Sequence, residues 1–170
     1  MIATLGMQET PAWVTRSYRS HAGHVFRRAR RLLGSEADAH EVVQDVFLSL
    51  LERPEQFAGR SSLTTFLYGA TTHACLNRIR NQRNRARLLE SQQTWDDLDG
   101  SPPFSAEQRL ELLRLLERMP EEWARAAIYH YLDDLSHEDV AKLLGCSRRH
   151  VGHLLERVAR WATTEGQHVE

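Results

Sequence analysis

The sequence is poor in cysteine and in long apolar runs, and each shortage excludes a class of protein. Its 170 residues include only two cysteines, Cys75 and Cys146, too few for a disulfide framework or a thiolate metal site. No apolar run approaches the roughly 20 residues that span a bilayer, and the first residues lack the basic and apolar blocks of a secretory signal. We therefore expect a cytoplasmic protein with no membrane insertion of its own.

Lysine is also scarce, since the basic residues are 21 arginines and one lysine, and the formal net charge is −1. Total charge therefore predicts no nucleic-acid partner, and the arginine excess alone does not indicate DNA binding. The distribution of charge is more informative. Residues 36–55 contain six acids and one arginine, whereas residues 56–89 contain six arginines and no acid. Adjacent acidic and basic blocks suggest two partner surfaces, although solvated faces of long helices produce the same pattern.

Strand-like alternation is nearly absent, and apolar residues recur at helical spacing through most of the chain. The pattern predicts an all-α protein. A first helix is expected over about 12–33, a second from the Ser35 N-cap to Pro54, and a long third helix over about 63–89.

Composition changes in residues 91–105, which contain two prolines, one glycine and three aspartates. Such a segment is typical of a linker. We therefore expect two small helical domains, residues 12–90 and 106–165, joined by a flexible linker that lets them move independently.

The C-terminal stretch HEDVAKLLGCSRRHVGHLLERV predicts a helix-turn-helix. Ser136 and Asp139 resemble a capping box, Gly145 suits the turn, and Ser147 is placed to cap the second helix. The positions that must be small or apolar in such a pair of crossed helices are Val140, Ala141, Leu144, Val151, Leu154, Leu155 and Val158. A plain αα-hairpin is the alternative.

The second helix of this pair has a polar, partly basic outer face. Its first turns would enter a DNA major groove, where arginine reads guanine and polar side chains bind phosphate. The residues expected to contact DNA are Arg148, Arg149, His150, His153 and Arg157.

Two motifs in the N-terminal half narrow the function: AHEVVQDVFL at 39–48 and FLYGATTHACLNRIR at 66–80. In this order, with a helix-turn-helix behind them, they resemble bacterial RNA polymerase sigma factors of the extracytoplasmic-function (ECF) group, over about residues 15–90 and 105–162. The resemblance implies a promoter-specificity subunit. Its partners would be core RNA polymerase, duplex −35 DNA, melted −10 DNA and an anti-sigma factor, with no cofactor and no catalytic or metal site.

The resemblance also implies roles for individual residues. The polar flank of the second helix would dock on core polymerase through Glu41, Gln44 and Asp45. The −10 strand would be bound by Arg60, Asn77, Arg78, Arg80 and Arg83, with Asn77 as the base-contacting residue. Gly69 departs from the family pattern, which commonly has a long residue there.

Parts of the sequence also fit two other functions. A stand-alone helix-turn-helix regulator would need a dimer seam or a ligand pocket in the N-terminal half, and the sequence indicates neither. A helical metalloenzyme is suggested by two histidine pairs at i, i+3 spacing, His21 with His24 and His150 with His153. Neither pair has a third ligand nearby in the sequence, so we expect a protein that is not an enzyme.

Overall fold

The computed structural model describes residues 12–57, 59–81 and 106–166, and within these ranges the regular structure is entirely helical. The described part of the N-terminal half forms three α-helices: α1 (Ala12–Leu33), α2 (Glu36–Glu52) and α3 (Leu63–Arg80), with a 3₁₀ turn at Pro54–Gln56. The expected all-α class is confirmed.

Residues 106–166 form four α-helices: α4 (Ala106–Arg118), α5 (Glu121–Ala127), α6 (His137–Leu144) and α7 (Arg148–Gly166). Helix α5 continues as a π-helical turn at Ile128–Leu132. Among the described residues, no helix combines the length and apolarity needed to cross a membrane.

Serine side chains cap the N-termini of several of these helices, as the local sequence predicts. Ser35 accepts the backbone N–H of Asp38 at 3.2 Å, and Ser147 accepts that of His150 at 3.2 Å. Ser136 accepts the N–H of Asp139 at 3.2 Å and donates its hydroxyl to that carboxylate at 2.7 Å. Each contact satisfies a donor that the first helical turn leaves free.

The third helix is shorter than expected. It ends at Arg80, because Asn81 turns to an extended conformation with ψ of 108°, whereas the sequence predicted helix to about residue 89. Residues 82–105, with Arg83 and the whole expected linker, lie outside the described residues.

The helix-turn-helix has the predicted core. Val140, Ala141, Val151, Leu154, Leu155 and Val158 are buried, and Leu144 is half-buried. Gly145 ends α6 with φ of 67°, the left-handed conformation typical of a helix C-terminus.

Side-chain contacts join the N-terminal and C-terminal halves. Arg28 on α1 forms an ion pair with Asp133, which follows the π-helical turn, at 2.9 Å. Arg80 at the end of α3 bonds Glu121 of α5 at 3.3 Å, and the rings of Tyr68 and Tyr129 stack with centroids 5.8 Å apart. These contacts join the two halves in this structure, and the independent movement of the domains in the free protein stays a prediction. The polar partners lie up to 105 positions apart, beyond the reach of local sequence patterns.

Replacement of each of two glycines of the helix-turn-helix by alanine should change the free energy of unfolding in opposite directions. Gly145→Ala forces a side chain into left-handed backbone and should destabilise the protein by about 1–2 kcal/mol. Gly152 lies within α7 with no neighbour within 4 Å of an added Cβ, so Gly152→Ala should stabilise it by about 1 kcal/mol. Urea unfolding of the full chain measures both. Shifts of the same sign would contradict the assignment of Gly145 as the turn residue.

Candidate nucleic-acid and protein-docking surfaces

The outer face of α2 carries the residues expected to dock on a protein. Gln44 and Asp45 are exposed and Glu41 is half-buried. Helical spacing adds Leu48, whose surface is 55% exposed beside them. Sequence reasoning missed Leu48 because it lies within an apolar run, although its position four residues after Gln44 places it on the same face. The face therefore combines acidic, amide and apolar groups.

Arg78 of α3 forms ion pairs with carboxylates of α2, including two on this face. Its guanidinium bonds Glu41 at 2.6 Å, Asp45 at 3.1 Å and Asp38 at 3.3 Å. The side chain of Asp38 is 1% exposed. A buried carboxylate without a partner is strongly unfavourable, so Arg78 fixes α2 against α3 and orients two of the predicted docking residues.

The pKa of Arg78 reflects two opposing effects. Burial lowers the pKa, but the hydrogen bonds with Glu41 and Asp45 outweigh this effect and raise it above the ordinary value. Both outer nitrogens of the guanidinium are occupied by carboxylates. The geometry therefore gives no support to the predicted contact of Arg78 with the −10 strand.

The other residues predicted to bind the −10 strand are dispersed. Asn77 is exposed on α3, with its amide nitrogen 3.3 Å from the ring of His73, and Arg60 is exposed in the turn before α3. Arg80 is turned toward the C-terminal half, where it donates to the Met119 carbonyl at 3.0 Å. Its predicted DNA contact likewise finds no support. Arg83 lies outside the described residues.

Asn77 also lines a cleft of about 860 Å³ between the two halves. Asp45 and Arg78 contribute to the wall from the N-terminal half, and Lys142 and Leu143 of α6 lie on the opposite side. The expected base-contacting residue and an expected docking residue thus share one cleft.

Most of the α7 residues that are predicted to contact DNA are exposed. Arg148, Arg149, His153 and Arg157 are exposed. His150 is half-buried and lies 2.9 Å from Glu122 of α5. The first turns of the helix thus present two adjacent arginines, while His150 has a contact within the protein.

The histidine pairs do not converge on further metal ligands. His21 bonds the Ser17 carbonyl at 3.1 Å, and His24 lies 2.9 Å from Arg27. In the described residues, no three histidine, cysteine, aspartate or glutamate side chains are placed to hold a metal ion. Burial raises the pKa of the Cys75 thiol to about 12, which keeps it protonated and unreactive near neutral pH.

The two halves match two regions of one protein family. Residues 17–85 match sigma-70 region 2, and residues 109–160 match sigma-70 region 4. The chain therefore belongs to the sigma-70 family of RNA polymerase sigma factors, in its extracytoplasmic-function group.

Several curated relatives align over most of the chain. It is 26% identical to the ECF RNA polymerase sigma factor SigE of Mycolicibacterium smegmatis over 84% of this chain and 57% of that protein. It is 26% identical to the ECF RNA polymerase sigma-E factor of Haemophilus influenzae, over 74% of this chain and 71% of that one. The sigma-E factor of Escherichia coli K12 is 27% identical, over 72% and 69%. The chain thus spans little more than half of the mycobacterial relative.

Among solved structures, the sigma factor RpoE of Bartonella quintana, in complex with the anti-sigma factor NepR, is similar with a TM-score of 0.47 and 16% identity. The likeness covers 86% of this chain and 91% of that one.

Removal of the Arg78 charge should destabilise the N-terminal domain. Arg78→Met leaves Asp38 buried without its partner, and we expect a loss of about 3 kcal/mol. Arg60→Met is the matched control, because Arg60 is exposed and the same change there should stay within about 0.5 kcal/mol. Urea unfolding measures both variants. Equal stabilities would show that the ion-pair cluster does not hold α2 against α3.

Proposed function

We propose that this protein is the promoter-specificity subunit that directs core RNA polymerase to a particular set of promoters. The observation that carries the proposal is the order of sigma-70 regions 2 and 4 in one chain. The exposed face of α2 and the exposed arginines of α7 support it, since they offer separate surfaces for a protein partner and for duplex DNA.

In this proposal the α2 face recruits the polymerase. Gln44 and Asp45 supply polar and charged contacts, and Leu48 supplies apolar area beside them. Interfaces of this kind draw most of their binding energy from a few desolvated residues surrounded by polar ones. Arg78 acts indirectly by holding Glu41 and Asp45 in place.

The DNA contacts are assigned to two helices. The N-terminal turns of α7 enter the major groove of the −35 element, where Arg148 and Arg149 reach guanine edges or phosphates. Asn77 on α3 contacts an unpaired base of the −10 element, with Arg60 beside the strand. Asn77 can offer both a donor and an acceptor to a base edge.

Further partners follow from the family. We propose an anti-sigma factor that holds the protein inactive, and a cytoplasmic location, where core polymerase works. The protein contributes binding and positioning to initiation and no chemistry of its own, so no cofactor is required.

The test is transcription from fragmented genomic DNA with purified core polymerase, followed by sequencing of transcript 5′ ends. We expect the protein to produce a discrete set of start sites with shared −35 and −10 sequences. Binding of the protein to duplex DNA without any stimulation of core polymerase would favour a stand-alone regulator.

Leu48→Ala should weaken core-polymerase binding without unfolding the protein. Loss of this apolar contact should reduce affinity by about tenfold, or about 1.4 kcal/mol, and the exposed position should leave the urea midpoint unchanged. Leu50→Ala is the contrasting variant, because Leu50 is buried and its loss should cost about 2–5 kcal/mol of stability. Fluorescence anisotropy against core polymerase measures affinity. Unchanged affinity for Leu48→Ala would remove Leu48 from the docking face.

Arg149→Ala should weaken binding to the preferred −35 duplex by about 1–3 kcal/mol and relax specificity, if the side chain reads a base. Arg160 is an exposed arginine of the same helix, three turns further on. Arg160→Ala should reduce DNA affinity less, and by the same factor for every DNA sequence. Titrations with preferred and scrambled duplexes at fixed salt distinguish the two. Equal losses on both duplexes for Arg149→Ala would make it a phosphate contact.

A further inference from the structure

The first helix has a charge pattern that none of the surfaces described above uses. Helix α1 contains six arginines and two histidines but no acidic residue. Four of the arginines are exposed and, at 3.6 residues per turn, lie within about a third of the helix circumference: Arg16, Arg19, Arg27 and Arg31. We call these four residues the α1 basic face. It lies opposite the side that carries the buried Val25 and Ala29.

Most of this charge is not neutralised inside the protein. Arg16 and Arg19 form no ion pair within residues 12–57, 59–81 and 106–166. Arg27 lies 2.9 Å from the ring of His24 and contacts no carboxylate in the same ranges. Arg31, at the far end of the face, bonds the Leu132 carbonyl at 2.6 Å across the seam between the two halves. The first three arginines therefore keep their charge for a partner.

The α1 basic face is unfavourable for the helix itself. Arg16 and Arg19 are three positions apart and Arg27 and Arg31 are four apart, so each pair of like charges is adjacent on the helix surface and repels. A solvated helix usually relieves such repulsion with acids of the opposite sign, and α1 has none. Gly23, between the two pairs, lowers helix propensity further. A binding role explains why a face that opposes helix stability is present.

Gly23 also brings the cationic groups closer together. It is exposed, and an added Cβ there would lie 3.5 Å from Nη1 of Arg27. The Arg27 guanidinium therefore lies back along the helix, over the backbone at Gly23 and toward Arg19, as helical side chains commonly do. From Arg16 to Arg31 the helix rises by about 22 Å, and positive charge follows this whole length.

The chemistry of the face suits a phosphate backbone better than an acidic protein. A duplex about 22 Å long carries about 13 phosphates, and the guanidinium fork matches phosphate oxygens. Protein interfaces draw their affinity from large buried anchors, whereas the exposed residues between the arginines on this side are Ser20, Gly23 and His24. The exposed Tyr18 packs edge-on against Phe47, on the α2 side of the helix.

We propose that the α1 basic face binds the phosphate backbone of duplex DNA of any sequence, as a second DNA surface in addition to the exposed arginines of α7. The inference goes beyond the proposed function, because this contact needs neither a promoter nor polymerase. Duplex DNA attracts α1 and repels the acidic face of α2, which carries Glu41 and Asp45. The contact therefore orients the N-terminal half with α1 toward the DNA.

The salt dependence of DNA binding tests the proposal. The full chain is titrated, by fluorescence anisotropy, against a labelled duplex of scrambled sequence and about 20 base pairs. Arg16→Gln/Arg19→Gln removes two exposed charges, and we expect at least fivefold weaker binding at low salt. The slope of log K against log salt should become smaller by about 1–2, because each lost phosphate contact contributes about 0.9.

Gly23 offers a matched pair of variants at the centre of the face. Gly23→Lys and Gly23→Glu raise helix propensity to a similar extent and differ in charge. We expect Gly23→Lys to bind the scrambled duplex more tightly than the parent and Gly23→Glu to bind it at least threefold more weakly. Thr163→Lys and Thr163→Glu make the same changes of net charge at an exposed position near the end of α7, and their affinities should agree within about twofold.

Urea unfolding checks that the variants are folded, and both Gly23 variants should be at least as stable as the parent. An unchanged salt slope in the double arginine variant, or equal affinity of the two Gly23 variants, would overturn the proposal. A poly-glutamate peptide bound as tightly as the duplex, and weakened equally by the double variant, would assign the face to an acidic protein instead.

The assay contains no polymerase, so its result is independent of the proposed function. If the parent protein fails to stimulate core polymerase, the proposed function fails, while the loss of duplex affinity in Arg16→Gln/Arg19→Gln still supports the α1 basic face. If the parent stimulates transcription and the double variant binds the scrambled duplex like the parent, the proposed function stands and the second DNA surface is refuted.

Discussion

A guanidinium that leaves water must find anionic or carbonyl acceptors, and this requirement organises the described structure at two places. Arg78 fixes α2 against α3 through three carboxylates, one of them buried. Arg28 fixes the C-terminal domain on the N-terminal one through Asp133. Arginine suits both positions because its planar fork donates in several directions at once, which the single ammonium of lysine does not.

The ion pairs of Arg78 change the interpretation of the acidic and basic blocks in the sequence. Read along the chain, the acidic block at 36–55 and the basic block at 56–89 suggest two separate partner surfaces. In the folded protein, α2 and α3 are antiparallel neighbours of one small core, and Arg78 neutralises acids from the preceding block. Part of each block is therefore satisfied internally. Among the described residues of the two blocks, the predicted contacts that stay exposed are Gln44 and Asp45 on α2, Asn77 on α3 and Arg60 in the turn before α3, with Leu48 beside the first two.

The parts of the structure that the sequence predicts are those determined within a few residues. Ser35 and Ser147 cap the expected helices because each side chain reaches an N–H three positions ahead. Gly145 ends α6 because its backbone is left-handed. The ion pairs of Arg78 and Arg80 were not predictable in this way, because their partners lie 33 to 41 positions away. The family resemblance supplied the roles of residues and gave no information about contacts between domains.

The docking of the two halves against each other also has an energetic reason. Domains of about 60–80 residues bury a limited fraction of their surface and are only marginally stable alone. Docking adds Tyr129 and the stacked ring of Tyr68 to the buried surface, so the seam stabilises both halves. The docked arrangement therefore depends on Asp133, because the charge of this buried carboxylate is favourable only while Arg28 remains beside it.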